Sequence, residues 1–453
     1  MEKYPLLRKG LVVVIILLFI GTGITPSTAQ NIEKSQSVSR GYWLYVGGNG
    51  PGNYTRIQDA IDNTTDGDTV FVYDDSSPYY ENVHIPKPIN LIGEGKNTTI
   101  IDGGGSGSVI FVSSDGVNIS GFTLQNSGSI WPDSGIKLDY SNDNTIMDNI
   151  ISNNNVGIVL SFSSNNKVTG NIASNNVYGI YLVVSSNNKI TGNNVTSNNY
   201  YGIWLDTSDN NIIMCNNALN NHRGIYLVSS SNNKITGNNA NLNNWEGIYL
   251  FHSSINKITS NNASNNDYGI SLSSSSNNII IGSDANLNNW GIYLFDSNHN
   301  IITGNNANSN NNRGIILVSS SNNTFTSNNA NSNNYDGIRL YSSSNNNIIT
   351  GNIASNNEDG IWLDTSNNNI VTGNNAYSNN YDGIYLDSSC NNTVMGNNAS
   401  NNDDGIVLFS SSNNTITGNN ANSNNDQGIH LYRSSSNNII TGKLHQTMTM
   451  VSP

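Results

Sequence analysis

From residue 135 to residue 431 the chain repeats one short arrangement of apolar and polar positions. A Gly-Ile-x-Leu segment starts at Gly135, Gly157, Gly179, Gly202, Gly224, Gly247, Gly269, Gly291, Gly314, Gly337, Gly360, Gly383, Gly405 and Gly428, always 22 or 23 residues after the last. A second piece, xIT, and a short Asn-Ala step follow in most copies, with Ser and Asn clusters between them. GIxL has the period of two of a strand with one buried face. The Asn and Ser clusters supply turns. No copy carries an apolar i, i+3, i+4 stripe, and Gly and Asn throughout disfavour a helical solenoid. A fixed period of this length predicts stacked coils. Three short strands per coil predict an all-β parallel β-helix, in which the Ile, Leu and Ala of every copy join one continuous core. The paired Asn residues are expected to stack, each side-chain amide bonding the next.

The pattern changes ahead of residue 131. Thr55 to Gln58 fits a capping box, and Ile57, Ala60 and Ile61 form an apolar helix face. A short helix there is expected to cover the open solenoid end. Strands are expected at 69–73, 82–85, 89–92, 98–101, 109–112 and 117–124. Residues 42–130 thus read as an N-terminal cap with irregular first coils, 131–442 as regular repeats, and 443–453 as an irregular or truncated tail. Residues 1–29 carry Lys3, Arg8 and Lys9, an apolar run at 11–20, and Ser27-Thr28-Ala29, the layout of an export signal. Residues 30–41 follow as a linker. The apolar run is shorter than the ~20 residues of a spanning helix, so no span is expected in the mature chain.

Composition narrows the partners. Only 11% of residues are charged, 92 are Asn, and the net charge is −13, which argues against nucleic acid. A disordered Asn-rich tract is the rival reading, but such tracts do not keep Ile and Leu in phase through fourteen copies. Cys215 and Cys390 lie several coils apart, well beyond the ~7 Å Cα reach of a disulfide, and are expected as free thiols.

The run IQDAIDNTTDGDTVFVY, then YYENVHIPKPINLIGEGKNTTIIDG, then Asn-rich GIxL repeats resembles the NosD-type right-handed parallel β-helix proteins found on surfaces of methanogenic archaea. The resemblance spans about residues 42–442. It implies a right-handed, single-stranded, pectin-lyase-like solenoid on an exported chain. Proteins of this repeat class include carbohydrate binders, polysaccharide lyases and hydrolases, surface-layer proteins and a nitrous-oxide-reductase accessory factor.

Strand alternation turns the residue between Ile and Leu outward. That position holds Tyr181, Trp204, Tyr226, Tyr249, Tyr293, Trp362 and Tyr385, a candidate track for the apolar faces of sugars. Rings that merely stack on one another are the alternative. Before the Gly stand Asp336, Asp359, Asp382 and Asp404 in successive copies, with Asp364 and Asp387 after two of the Leu residues and Glu358 and Asp403 nearby. These acids can be a solvated face, a calcium site at Glu358, Asp359 and Asp382, or a catalytic carboxyl pair at the coil spacing. Lyases of the family use a basic residue near acids, which makes Arg339 a candidate base. The six His are scattered, giving little support to copper handling. The expectation is an extracellular or cell-surface protein that binds carbohydrate or builds the envelope. A polysaccharide hydrolase or lyase is the alternative, and a copper accessory role the remote one.

Overall fold

This computed structural model describes residues 41–442 and the backbone of Met448–Met450. The export segment, the linker up to residue 40 and the rest of the tail, with His445, lie outside the described residues. The chain winds as an all-β parallel solenoid of about 17 turns. Each GIxL strand pairs in parallel with the next, beginning at Val83–Ile85 and ending at Met448–Met450. The xIT strands form a second ladder, from Trp43–Val46 to Ile439–Thr441. A third is continuous from Tyr79–Tyr80 to Ile172–Ser174 and goes on as single bridges from Asn194 to Asn420. Register is one coil per step, so Ile203 lies on Ile180 and Leu205 on Leu182.

The inward Ile, Leu and Ala residues make one buried cluster from Val46 to Leu431. The Gly of each GIxL segment is required by crowding. A Cβ on Gly360 would stand 2.5 Å from the carbonyl oxygen of Gly383 and 2.9 Å from the Cβ of Ala376.

The helix forms at Ile57–Asp62 and buries Ile57, Ala60 and Ile61 in the core of the first coils. Its cap differs from the expected box. Arg56 is the N-cap and gives no side-chain cap bond. Glu81, from the next coil, accepts the N–H of Ile57 at 2.8 Å and of Gln58 at 3.1 Å instead. A carboxylate at a helix N-terminus also meets the positive end of its dipole. The strand expected at 117–124 is two strands, Asn118–Ser120 and Thr123–Gln125, parted at Gly121.

Asn files run the length of the repeats, and their bonding is richer than amide on amide. The backbone N–H of Asn188 donates to Oδ1 of Asn211 in the next coil at 2.8 Å. Asn211 Nδ2 donates back to the carbonyl of Ser185 at 3.0 Å. Amide-to-amide bonds accompany this, as from Asn216 Nδ2 to Asn238 Oδ1 at 3.0 Å. At corners the backbone leaves the sheet ladders and would strand polar groups in the interior. Asn carries both an acceptor and donors, so one side chain serves two neighbouring coils. A Ser file does the same, with Ser208 N–H on Ser230 Oγ at 3.0 Å. Beside the buried Asn the chain turns through left-handed positions such as Asn187 and Asn210, both at φ 60°, which Asn tolerates.

Candidate functional site: the outward face of the Gly-Ile-x-Leu sheet

The outward column reads Tyr181, Trp204, Tyr226, Tyr249, Ser271, Tyr293, Ile316, Arg339, Trp362, Tyr385, Val407 and His430 in consecutive coils. Its first four rings stack. Tyr181 and Trp204 are 4.2 Å apart between centroids, Trp204 and Tyr226 6.3 Å, and Tyr226 and Tyr249 5.2 Å with planes 7° apart. Burial pushes the Tyr226 hydroxyl up to about 12.

Trp131 covers the start of this file. It sits in an irregular stretch between the strands Thr123–Gln125 and Ser134–Asp139. Its ring lies 5.2 Å from Tyr181 and 5.9 Å from Trp204. Tyr181, read as an exposed contact ring, is therefore only 5% exposed. The repeats from Gly135 onward lack irregular loops, but the residues just before them supply one. A WP pair immediately ahead of the first regular coil was the available signal.

A groove opens where the rings stop. Ser271 and Ser273 leave a hollow of about 290 Å³ between Trp245, Tyr249, Tyr268 and Tyr293. A second, of about 410 Å³, shares Tyr268 and Tyr293 and runs on to Trp290, Arg313 and Arg339. Past it stand Trp362 and Tyr385, 5.2 Å apart. The indole N–H groups of Trp204 and Trp362 are buried without a hydrogen-bond partner among the described residues.

Three arginines stand among these rings. Arg223 Nε meets Glu246 Oε2 at 2.5 Å, and its guanidinium stands 5.2 Å from the centroids of both Tyr226 and Tyr249. Arg313 Nε meets Asp336 Oδ2 at 2.5 Å beside Trp290. Arg339 donates to Asp364 Oδ2 at 2.7 Å and packs 3.8 Å from the centre of Trp362. Arg223, Glu246 and Arg313 escaped the sequence reading. They occupy the pre-Gly position, and reading that column coil by coil pairs Arg223 with Glu246 and Arg313 with Asp336. Arg339, the candidate base, is held in place by Asp336 and Asp364.

The acids differ in exposure: Glu358, Asp364, Asp382, Asp387 and Asp404 are half-buried and Asp403 is exposed, whereas two lie inside. Asp336 is 1% exposed and Asp359 7%. Burial, reinforced by the charges of Asp336 and Glu358, pushes the Asp359 carboxyl up to about 7. Burial and then the neighbouring Asp359, Asp404 and Asp403 push Asp382 up to about 8. Asp404 accepts the N–H of Gln427 at 2.7 Å and faces Nδ1 of His430 at 3.1 Å. Asp387 accepts the Ser388 hydroxyl at 3.0 Å. Among the described residues no three His, Cys, Asp or Glu side chains converge as metal ligands, Glu358, Asp359 and Asp382 included. Both cysteines are free, Cys215 at the surface.

Residues 61–246 match the family model of the periplasmic copper-binding protein NosD, and 243–366 and 290–444 match that of the right-handed β-helix region. The chain is a NosD-type right-handed β-helix repeat protein. Among the described residues of this NosD-type chain the donors do not gather as a copper site requires. In the matched span His84 sits beside Ser113 and Phe111, while His222 lies between Tyr200 and Trp245. The two imidazoles thus serve separate surroundings, where a copper site would gather soft and imidazole ligands. No helix among the described residues is long and apolar enough to cross a membrane.

Solved structures similar to the NosD-type chain include the A-module of the Azotobacter vinelandii mannuronan C-5 epimerase AlgE6, at 13% identity and TM-score 0.27, covering 88% of this chain and 94% of that one. A double mutant of the periplasmic alginate epimerase AlgG is 14% identical with TM-score 0.37, covering 81% and 84%. An alginate lyase from Paenibacillus sp. is 14% identical with TM-score 0.29, covering 68% and 94%. No curated protein matches at a significant level.

Proposed function

We propose that the outward face of the GIxL sheet binds carbohydrate chains outside the cytoplasm, and that the protein serves as a cell-surface or envelope component without turning its ligand over. The observation that carries this reading is the groove at Ser271, where the self-stacked file ends at Tyr249 and rings of Trp245, Tyr249, Tyr268 and Tyr293 line an open hollow. Flat rings take the apolar faces of sugars, and the flanking Arg, Asp and Tyr groups take hydroxyls. Successive rings repeat at the strand spacing of ~4.8 Å, close to the advance of one sugar in an extended chain.

Catalysis draws less support. Asp359 is buried, and its Oδ1 is occupied by the backbone N–H of Asp382 at 2.8 Å. A general acid must reach the bond it protonates.

The test is a glycan array on the full chain, followed by reducing-sugar and unsaturated-product assays on every ligand found. Binding without turnover, weakened about tenfold or more in Trp204→Ala and Tyr226→Ala, is the expected result. Turnover abolished in the Asp359→Asn, Asp382→Asn double variant would establish the enzyme reading instead. Absence of binding to any glycan leaves a purely structural solenoid.

A further inference from the structure

The xIT sheet carries a different decoration. Its outward column reads Thr145, Lys167, Lys189, Ile212, Lys234, Lys257 and Ile279 in register. Four of the five lysines between residues 131 and 442 thus stand in one file within five consecutive coils. At ~4.8 Å per coil the file is about 19 Å long. All four are exposed. Among the described residues none of them forms an ion pair. Each arginine of the aromatic face, by contrast, is matched with an acid.

Two residues along each strand, the same face presents Thr169, Thr191, Thr236 and Thr259. Among the described residues the buried hydroxyls of Thr191, Thr236 and Thr259 have no hydrogen-bond partner. A hollow of about 280 Å³ lies between Lys167, Thr169, Lys189 and Thr191. Like charges directly opposite on neighbouring strands destabilise a sheet. The repeat does not force them here, because the same position holds Ile or Thr in later coils. A chain of net charge −13 therefore gathers unneutralised positive charge in one place.

We infer that this lysine file is a second binding surface, which takes an acidic polysaccharide carrying one carboxylate per sugar along the solenoid axis. Charge complementarity selects an anion. The coil rise of ~4.8 Å brings successive carboxylates of such a chain within reach of the lysines. Nucleic acid fits poorly, because this file offers no ring on which bases stack. The surface lies on another sheet from the aromatic groove, so the two stand or fall separately.

The experiment titrates the full chain with polygalacturonate at low salt. Neutral dextran, duplex DNA and phosphatidylglycerol vesicles are run in parallel. The expected result is binding to polygalacturonate that weakens with added salt and drops about tenfold or more in a variant with Gln at positions 167, 189, 234 and 257. The variant with Arg at the same four positions keeps binding, which separates charge from any folding defect. Trp204→Ala leaves this binding unchanged. Undiminished binding by the Gln variant overturns the proposal. So does equal or tighter binding of DNA or vesicles, which would make the file a generic anion surface, and so does a chain that binds no polygalacturonate.

Discussion

The backbone N–H of Asp382 donates to Oδ1 of Asp359 across 2.8 Å, joining two carboxyl-bearing residues of adjacent coils. Their carboxyls are raised to about 8 and about 7, while a free aspartate titrates near 3.8. The folded chain therefore holds protons that an unfolded chain releases, between about pH 4 and pH 8. Stability from these groups is intact below that window and declines as pH rises through it. Asp68, held below the usual range chiefly by the N–H of Thr65, acts only in more acid solution. Thermal melting should shift several degrees lower on going from pH 5.5 to pH 9, about the effect of a few kcal/mol. The Asp359→Asn, Asp382→Asn variant should show a flatter profile. A wild-type melting point that climbs over this range would contradict the assignment.

Asn238 serves both neighbouring coils. In the coil before, its Oδ1 accepts the N–H of Asn216 at 2.9 Å and its Nδ2 donates to the carbonyl of Ile213 at 2.9 Å; in the coil after, Nδ2 donates to Oδ1 of Asn261 at 3.0 Å. Asn238→Ala strands both buried backbone groups and should cost about 2–4 kcal/mol in urea unfolding. Asn244→Ala, at an exposed turn, should stay within about 0.5 kcal/mol. Equal effects would remove the ladder as a source of stability.

Ile255 holds a left-handed turn position, φ 60°, where most coils have Asn. A β-branched side chain is strained there. Ile255→Asn should stabilise the chain by about 1 kcal/mol, read from the same urea curves, and also remove a residue that is 61% exposed. A destabilised variant would show that Ile255 packs usefully.

Trp131 is 45% exposed and bound to the scaffold mostly through rings. Trp131→Ala should cost only about 1 kcal/mol of stability. It should nevertheless uncover Tyr181, and weaken any glycan seated at that end of the file by about tenfold. Calorimetric titration with the best array ligand checks this, and unchanged affinity would place the ligand elsewhere.

The coils were readable because periodicity is local information. Ile203 and Leu205 announce themselves, and the fixed period puts them over Ile180 and Leu182. What escaped depends on which residues meet across coils. Glu81 caps a helix that begins 24 residues before it, so a local capping box was the only cap that sequence spacing could suggest. Asp336 meets Arg313 of the preceding coil and Asp359 meets the N–H of Asp382 in the following one, contacts that their own neighbours in the chain do not reveal. The lysine file was hidden by the overall charge, since a sum over 453 residues erases a column of four.

The Asn and Ser files tie each coil only to the one before and the one after, through the same kinds of bond along the repeats. Length is therefore a quantity that can be edited. Unequal exchange between near-identical stretches of DNA can add or drop a whole coil, and the new seam closes with the contacts of the old. Each such event slides one decorated patch along the rod by a single notch and leaves the rest untouched. The solenoid is in this sense a ruler, on which rings, acids and lysines are marks that inheritance can move apart or draw together without reinventing the fold.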